Sequence, residues 1–333
     1  MHLLVIGGTV FLGRHLVSQA LAAGHQVTTL NRGRQNLPEQ DKAEKLIDDR
    51  EKDLDILSGR HFDAVIDTCG YRPEIVSHSL RALKESVETY VFISTVSVYG
   101  EFRTNGITEN DPIKYTLPGQ EENYGTLKAD CEKAVLELIP AEALIIRPGL
   151  IVGPYDPTDR FTYWPARVAR GGKILAPGQP ERAIQFTDVR DLAEWILKLT
   201  EMRARGIFNA KGSKDRLTMG EFLETCKQTI NSDCDFLWVD ENALVEAGVQ
   251  PWTELPLWIP ASNLEFAGFM ELNCRKAFDS GLAPRPLAET IADTLAWDQT
   301  RDPSMPRKAG MLPDREEELL NQAQAGADLR TLT

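Results

Sequence analysis

Six residues into the chain an apolar run, Leu3-Leu4-Val5-Ile6, breaks on Gly7-Gly8 and continues as Thr9-Val10-Phe11-Leu12-Gly13. This junction restricts the fold more than any other stretch. Glycine permits a tight turn and close approach of backbone to a bound group, and a helix opening there offers unpaired N–H groups and a partial positive charge. A helical pattern follows from about Phe11 to Ala23, Gly24 stands where a C′ glycine belongs, and Gln26–Leu30 reads as a second strand. Strand, glycine turn, helix and strand in this order form a nucleotide-binding βαβ unit. The unit places a pyrophosphate against Gly7, Gly8 and Gly13, with Thr9, Phe11 and Leu12 in the same turn. Val10 departs from the usual GxxGxxG spacing. A branched side chain there is expected to narrow the space for a diphosphate or shift its path.

The alternation continues through the first half. Lys45–Ile47, Phe62–Asp67, Tyr90–Ser94 and Ala143–Ile146 read as strands, with helices at Ile75–Leu83 and Asn123–Ile139. Such spacing predicts an α/β chain with a Rossmann-type doubly wound parallel sheet and right-handed crossovers. The second half is less regular. Ile184–Phe186, Gly206–Ala210 and Phe236–Val239 suggest strands, and Val189–Leu199 an amphipathic helix. Thr218–Ile230 reads as a helix whose Thr218 and Glu221 make a capping box, with further helices at Leu287–Trp297 and near Glu316–Gln322. At 333 residues the chain exceeds one ordinary core. The expected division is a dinucleotide-binding domain over 1–165, to which 188–225 returns, and a smaller C-terminal substrate lobe and tail from 166–187 and 226–333.

A net charge of −13 weighs against nucleic acid and against an anionic membrane surface. No stretch is long and apolar enough to span a bilayer, and the first residues lack the pattern of a signal peptide. The five cysteines are scattered without CxxC spacing and read as reduced thiols of a cytoplasmic protein. The histidines are equally scattered, so no metal site is expected. A homodimer is compatible with this composition, which does not itself fix an oligomeric state.

The second strand ends at neutral Asn31, followed by Arg32, Gly33 and Arg34. An acidic residue at that position normally holds the ribose hydroxyls of NAD and repels a 2′-phosphate. Its replacement by Asn31, with the phosphate-matching fork of Arg32 next to it, predicts NADP in preference to NAD. Asp49, at the end of the third strand, either accepts from an adenine amino group or is a solvated turn residue. Tyr124 and Lys128 stand four residues apart, hence on one helix face. A phenol with its free pKa of about 10 is a poor base. A nearby Lys⁺ and a positive nicotinamide ring favour the phenolate, and Lys128 can also hold the cofactor ribose.

These features recur in order with Ser94-Thr95-Val96-Ser97-Val98-Tyr99-Gly100, Arg147-Pro148-Gly149…Gly153-Pro154 and Asp188-Val189-Arg190-Asp191-Leu192. Over most of the chain the series resembles the extended short-chain dehydrogenases/reductases, the NAD-dependent epimerase/dehydratase family. The resemblance implies Thr95 as the hydroxyl that binds the reacting oxygen, Tyr124 as acid/base and Lys128 as its partner. Ser97 is a second candidate hydroxyl, and Tyr99 reads as packing. Val10 resembles the glycine motif of an atypical subgroup that includes chloroplast stem-loop RNA-binding proteins. Sugar-nucleotide members carry Asn where this chain has Leu150. Arg160, in the aromatic and polar segment 154–165, and Arg182 are able to meet an anionic substrate; the alternative is that the segment is an inter-lobe loop. The implied activity is an NAD(P)-dependent oxidoreductase or redox-cycling epimerase/dehydratase on a carbonyl or alcohol carbon, of a sugar or cyclitol. The rival is a non-catalytic NAD(P)-binding protein, redox-sensing or RNA-associated. The intact Thr95, Tyr124 and Lys128 set favours the enzyme.

Overall fold

The computed structural model describes residues 1–330 apart from 53 and 120. In chain order the first half runs β1 (His2–Ile6), α1 (Phe11–Ala22), β2 (Gln26–Asn31), β3 (Glu44–Ile47), β4 (Phe62–Asp67), α2 (Pro73–Leu83), β5 (Val87–Ile93), α3 (Tyr124–Leu138) and β6 (Ala143–Pro148). The second half continues with β7 (Ile151–Val152), α4 (Tyr163–Ala169), β8 (Lys173–Pro177), β9 (Ala183–Ile184), β10 (Thr187–Asp188), α5 (Val189–Glu201) and β11 (Gly206–Ala210). It closes with β12 (Leu217–Thr218), α6 (Met219–Ile230), β13 (Asp235–Val239), α7 (Glu241–Glu246), α8 (Arg275–Asp279), α9 (Leu287–Asp298) and α10 (Pro313–Arg330).

Seven of these strands make one parallel sheet in the order β11-β6-β5-β4-β1-β2-β3. The doubly wound expectation holds. Both faces are covered, so the central strands are apolar throughout and successive residues serve opposite layers. Leu3 and Val5 of β1 join the core under α1 and α5, while Leu4 and Ile6 join the core under α2 and α3. The order reverses between β1 and β4, which opens a crevice at their carboxyl ends.

A second core belongs to the smaller lobe, where Phe161 packs on Phe186 and Phe222 at centroid distances of 5.0 and 5.3 Å. Leu150, Val152, Phe161 and Trp164 belong to the second core, while Ile151 packs against the first, so the segment after β6 touches both. Helix α5 and strand β11 rejoin the nucleotide domain, but Met219, Phe222 and Leu223 of α6 face the second lobe. The capping box of α6 is present as predicted. Which core its apolar face meets is a long-range property that helix patterning does not contain.

Helix α4 and strand β8 had no clear sequence signature, and α10 runs well beyond Gln322. Among the described residues no helix is long and apolar enough to cross a membrane, and the five cysteines are free thiols.

Candidate functional site

The glycine turn sits at the carboxyl end of β1 in a conformation that requires its glycines. Gly7 and Gly8 have φ of +105° and +83°, and a Cβ on Gly7 would lie 2.4 Å from the Thr68 hydroxyl. A Cβ on Gly13 would lie 2.7 Å from the Gly8 amide, so α1 can close onto the turn only with glycine there. Gly7 N–H donates to the Leu30 carbonyl at 2.9 Å, and the buried Gln40 amide donates to the Gly8 carbonyl at 2.7 Å. Helix α3 carries an Asn123–Thr126 capping box, whereas Val10, the residue before α1, offers no side-chain cap. The leading N–H groups of α1 are therefore left to an anion, which fits a dinucleotide pyrophosphate.

Individual residues of the turn divide by role. Leu12 is buried in the core, so only its backbone can face a ligand, and Phe11 adopts a left-handed φ of +40°. Val10 has extended backbone (φ −124°) and a largely exposed side chain. Chain geometry thus does not require glycine at 10. Asn31 accepts from the Gly33 N–H at 2.9 Å, while Arg32 and Arg34 stand exposed. Asp49 is half-buried and accepts from the Glu51 N–H at 3.2 Å within its own turn.

Thr95, Ser97, Tyr124 and Lys128 converge at the carboxyl end of β5. The Thr95 hydroxyl donates to Ser97 Oγ at 3.2 Å and accepts from the Ser97 N–H at 3.1 Å. Gly125 allows α3 to meet this strand end, because a Cβ there would fall 2.3 Å from the Ser97 carbonyl. The capping box fixes the helix start at Tyr124. Desolvation raises the Tyr124 phenol pKa, although about half of the residue is exposed. Lys128, one turn on, is buried, and its Nζ donates to the Gly70 and Ile93 carbonyls at 2.7 and 2.6 Å. Burial brings its pKa down to about 8, opposed by the Asp67 carboxylate. The expected activation of the phenol by Lys128 is therefore not what this geometry contains. The ammonium is turned to the Gly70 and Ile93 carbonyls.

Two buried ion pairs, missed in the sequence, hold these pieces in place. Asp67 accepts from Arg50 at 2.7 and 2.8 Å, from the Tyr90 hydroxyl at 2.8 Å and from the Cys69 N–H at 3.1 Å. This shapes the loop that presents Thr68 to Gly7 and the Gly70 carbonyl to Lys128. On the next turn of α3, Glu132 accepts from Arg147 at 2.6–3.2 Å, and Arg147 also donates to the Tyr99 hydroxyl at 3.0 Å. Tyr99 is buried packing with a polar tip, as expected.

Arg160 and Arg182 are not brought together. The Arg160 guanidinium lies over Trp252, 5.6 Å from its centroid. Arg182 donates to the Ile259 carbonyl at 3.0 Å and lines a cavity of about 730 Å³ between the β8–β9 connection, α7 and the segment 257–271. Trp238, Trp258, Arg216 and Met270 also line it, and none of Thr95, Ser97 and Tyr124 does. Among the described residues no cluster has the makeup of a metal site.

Residues 3–210 match the sequence profile of the NAD dependent epimerase/dehydratase family. The chloroplast stem-loop binding protein of 41 kDa b from Arabidopsis thaliana is 30% identical over 233 residues, 64% of this chain and 59% of that protein. This chain therefore spans less than two thirds of the length of that relative. Among solved structures, a UDP-glucuronic acid 4-epimerase from Bacillus cereus in complex with NAD superposes with a TM-score of 0.63 at 17% identity, covering 90% of this chain and 99% of that one. A UDP-Glc/GlcNAc 4-epimerase from Campylobacter jejuni gives 0.66 at 15% identity, covering 90% and 99%. At these identities the structural likeness speaks for the fold.

Proposed function

The chain belongs to the NAD dependent epimerase/dehydratase family, and on that premise we propose that it is an NAD(P)-dependent oxidoreductase or epimerase/dehydratase acting on a carbonyl or alcohol carbon of a sugar or cyclitol. The observation that carries this reading is the docking of the start of α3, which carries Tyr124, against the Thr95–Ser97 strand end at Gly125, one helical turn before buried Lys128. A bound nicotinamide dinucleotide supplies the hydride acceptor or donor. Thr95, itself held by Ser97, orients the substrate oxygen by hydrogen bonding. Tyr124 takes or gives the proton on that oxygen, and Lys128, with one N–H left beyond the Gly70 and Ile93 carbonyls, holds the cofactor ribose. The Gly7–Gly13 turn and the uncapped start of α1 hold the pyrophosphate, and Asn31 and Arg32 flank the adenosine ribose, with NADP preferred. The Arg182-lined cavity receives the part of the substrate distant from the reacting carbon.

Tyr124→Phe removes one oxygen and keeps the ring. It is expected to bind cofactor as the wild type does and to lose about 10²–10⁴ in the rate of hydride transfer, read as nicotinamide absorbance against a panel of sugars, sugar nucleotides and cyclitols. Turnover at the wild-type rate would remove Tyr124 from the chemistry. The match to a stem-loop binding protein favours a second reading, an RNA-associated NAD(P)-binding protein. A salt-dependent RNA gel shift together with no nicotinamide turnover would select it, against a net charge of −13.

A further inference from the structure

The cavity lined by Arg182 lies at the carboxyl ends of the parallel strands β8 and β13, where Pro177, Gly178 and Asp240 form part of its wall. That wall carries four carboxylates, Glu181, Asp240, Glu241 and Glu271, against two guanidinium groups, Arg182 and Arg216. Both arginines are already engaged. Arg182 lies 3.7 Å from Glu241 and donates to the Ile259 carbonyl at 3.0 Å. Arg216 lies 3.4 Å from Glu271 and donates to the Glu181 carbonyl at 2.9 Å. Glu241 also accepts from the Ala261 N–H at 2.6 Å and Glu271 from the Asn105 amide at 2.9 Å. Glu181 and Asp240 remain. Both are exposed, and among the described residues neither has a cation within salt-bridge distance. Four carboxylates against two guanidinium groups leave a surplus of negative charge, which repels a phosphate and attracts a cation.

The same wall holds a donor without an acceptor. Trp258 lines the cavity and is only 4% exposed, yet among the described residues its indole N–H has no partner. Other buried indoles of the chain are satisfied. Trp164 donates to the Pro256 carbonyl at 2.9 Å and Trp195 to the Ser280 hydroxyl at 3.2 Å. A buried indole N–H normally finds a partner, so an unsatisfied one in a cavity wall suits an oxygen brought by a ligand. Trp238 and Phe266 add aromatic surface to the wall, and Gln179, Asn242 and Ser262 add neutral polar groups. Aromatic faces attract ammonium groups, the tryptophan face most strongly.

We propose that this cavity binds an unphosphorylated amino sugar or amino cyclitol, whose ammonium is drawn by Glu181 and Asp240 and whose oxygen accepts from the Trp258 N–H. The ammonium answers the carboxylates that lack a cation, and the oxygen answers the indole that lacks an acceptor. The apolar face of the ring is left for Trp238 and Phe266. A sugar phosphate would bring further negative charge against the surplus already there. The inference rests on reading the cavity as the place of the substrate's distant part, and it commits that part to carry an amine and no phosphate.

Titration of the full chain with glucosamine, glucose and glucose 6-phosphate tests it, followed by tryptophan fluorescence with Trp238 retained in every variant. At a pH that keeps its amine protonated, glucosamine is expected to bind about fivefold tighter than glucose, the scale of two exposed ion pairs. Glucose 6-phosphate should bind more weakly than either. Glu181→Gln/Asp240→Asn keeps both shapes, and asparagine still caps α7, so the variant should fold and lose the preference for glucosamine over glucose. Trp258→Phe should weaken both sugars alike, by about fivefold for one neutral hydrogen bond. Equal affinity for glucosamine and glucose would overturn the proposal. So would a preference that survives in the double variant, undiminished binding by Trp258→Phe, tighter binding of glucose 6-phosphate, or a wild type that does not bind glucosamine. Hydride transfer is measured separately. Glucosamine binding without nicotinamide turnover counts against the enzymatic reading alone, and turnover of sugars by a protein indifferent to the amine counts against this inference alone.

Discussion

At the residue scale the second strand ends in a neutral side chain that is already committed. Asn31 accepts from the Gly33 N–H, and the proposed preference for NADP rests on the exposed Arg32 beside it. Arg32→Ala is expected to lower the ratio of NADP to NAD affinity in calorimetric titration, and an unchanged ratio would remove Arg32 from selection. Lys211, which is fully buried, gives a second test at this scale. The unfolded chain keeps its ammonium proton up to about pH 10.4, the folded one only below about 7. Between these values unfolding takes up a proton, so the wild type loses stability as pH falls from about 10 to 7, and the loss is complete below 7. Lys211→Met removes this loss, with an upper limit of about 5 kcal/mol at about 1.4 kcal/mol per pKa unit. Its melting-temperature advantage should be large near pH 7 and small near pH 10, and a constant advantage would contradict the burial of a titrating amine. Thr95, Tyr124 and Lys128 were legible because their spacing along one strand end and one helix face is local. Gln40, Thr68 and Gly70 were not, since they serve the site through backbone contacts that the sequence does not pair.

At the scale of elements, α3 carries Tyr124, Lys128 and Glu132 on one face, and the Glu132–Arg147 pair fixes that face to β6. Both side chains are buried. Removing one partner leaves an uncompensated charge, so Arg147→Met is expected to cost about 3–5 kcal/mol in denaturant unfolding. The double variant Glu132→Gln/Arg147→Met should recover part of this, and a single variant as stable as wild type would show that the pair does not anchor the helix. Strands β1, β2, β4 and β11 were readable because buried parallel strands are short apolar runs between turn residues. Helix α4 was hidden because Pro165 and three aromatic residues in the stretch 161–164 resemble a loop wall. Strand β8 was hidden because it follows Gly171-Gly172 and ends on Pro177, leaving three apolar residues to signal it.

At the scale of the molecule, strand–helix alternation was enough to predict the doubly wound sheet, because short right-handed crossovers leave few other topologies. The seam between the lobes was not predictable in the same way. Leu150, Phe161 and Phe222 are plain hydrophobics whose membership of the second core is decided by partners many residues away. The glycine turn lies on the legible side of this division and the cavity lined by Arg182 on the other. The central claim is that a nicotinamide dinucleotide sits on the Gly7–Gly13 turn and serves Tyr124. Calorimetric titration of wild type and Gly13→Val with NADP and NAD tests it most directly, since a Cβ at 13 would lie 2.7 Å from the Gly8 amide. The account predicts saturable binding by the wild type, tighter for NADP, and none by a Gly13→Val protein that keeps a folded circular-dichroism spectrum. A wild type that binds neither nucleotide, or a folded Gly13→Val with undiminished affinity, would contradict it.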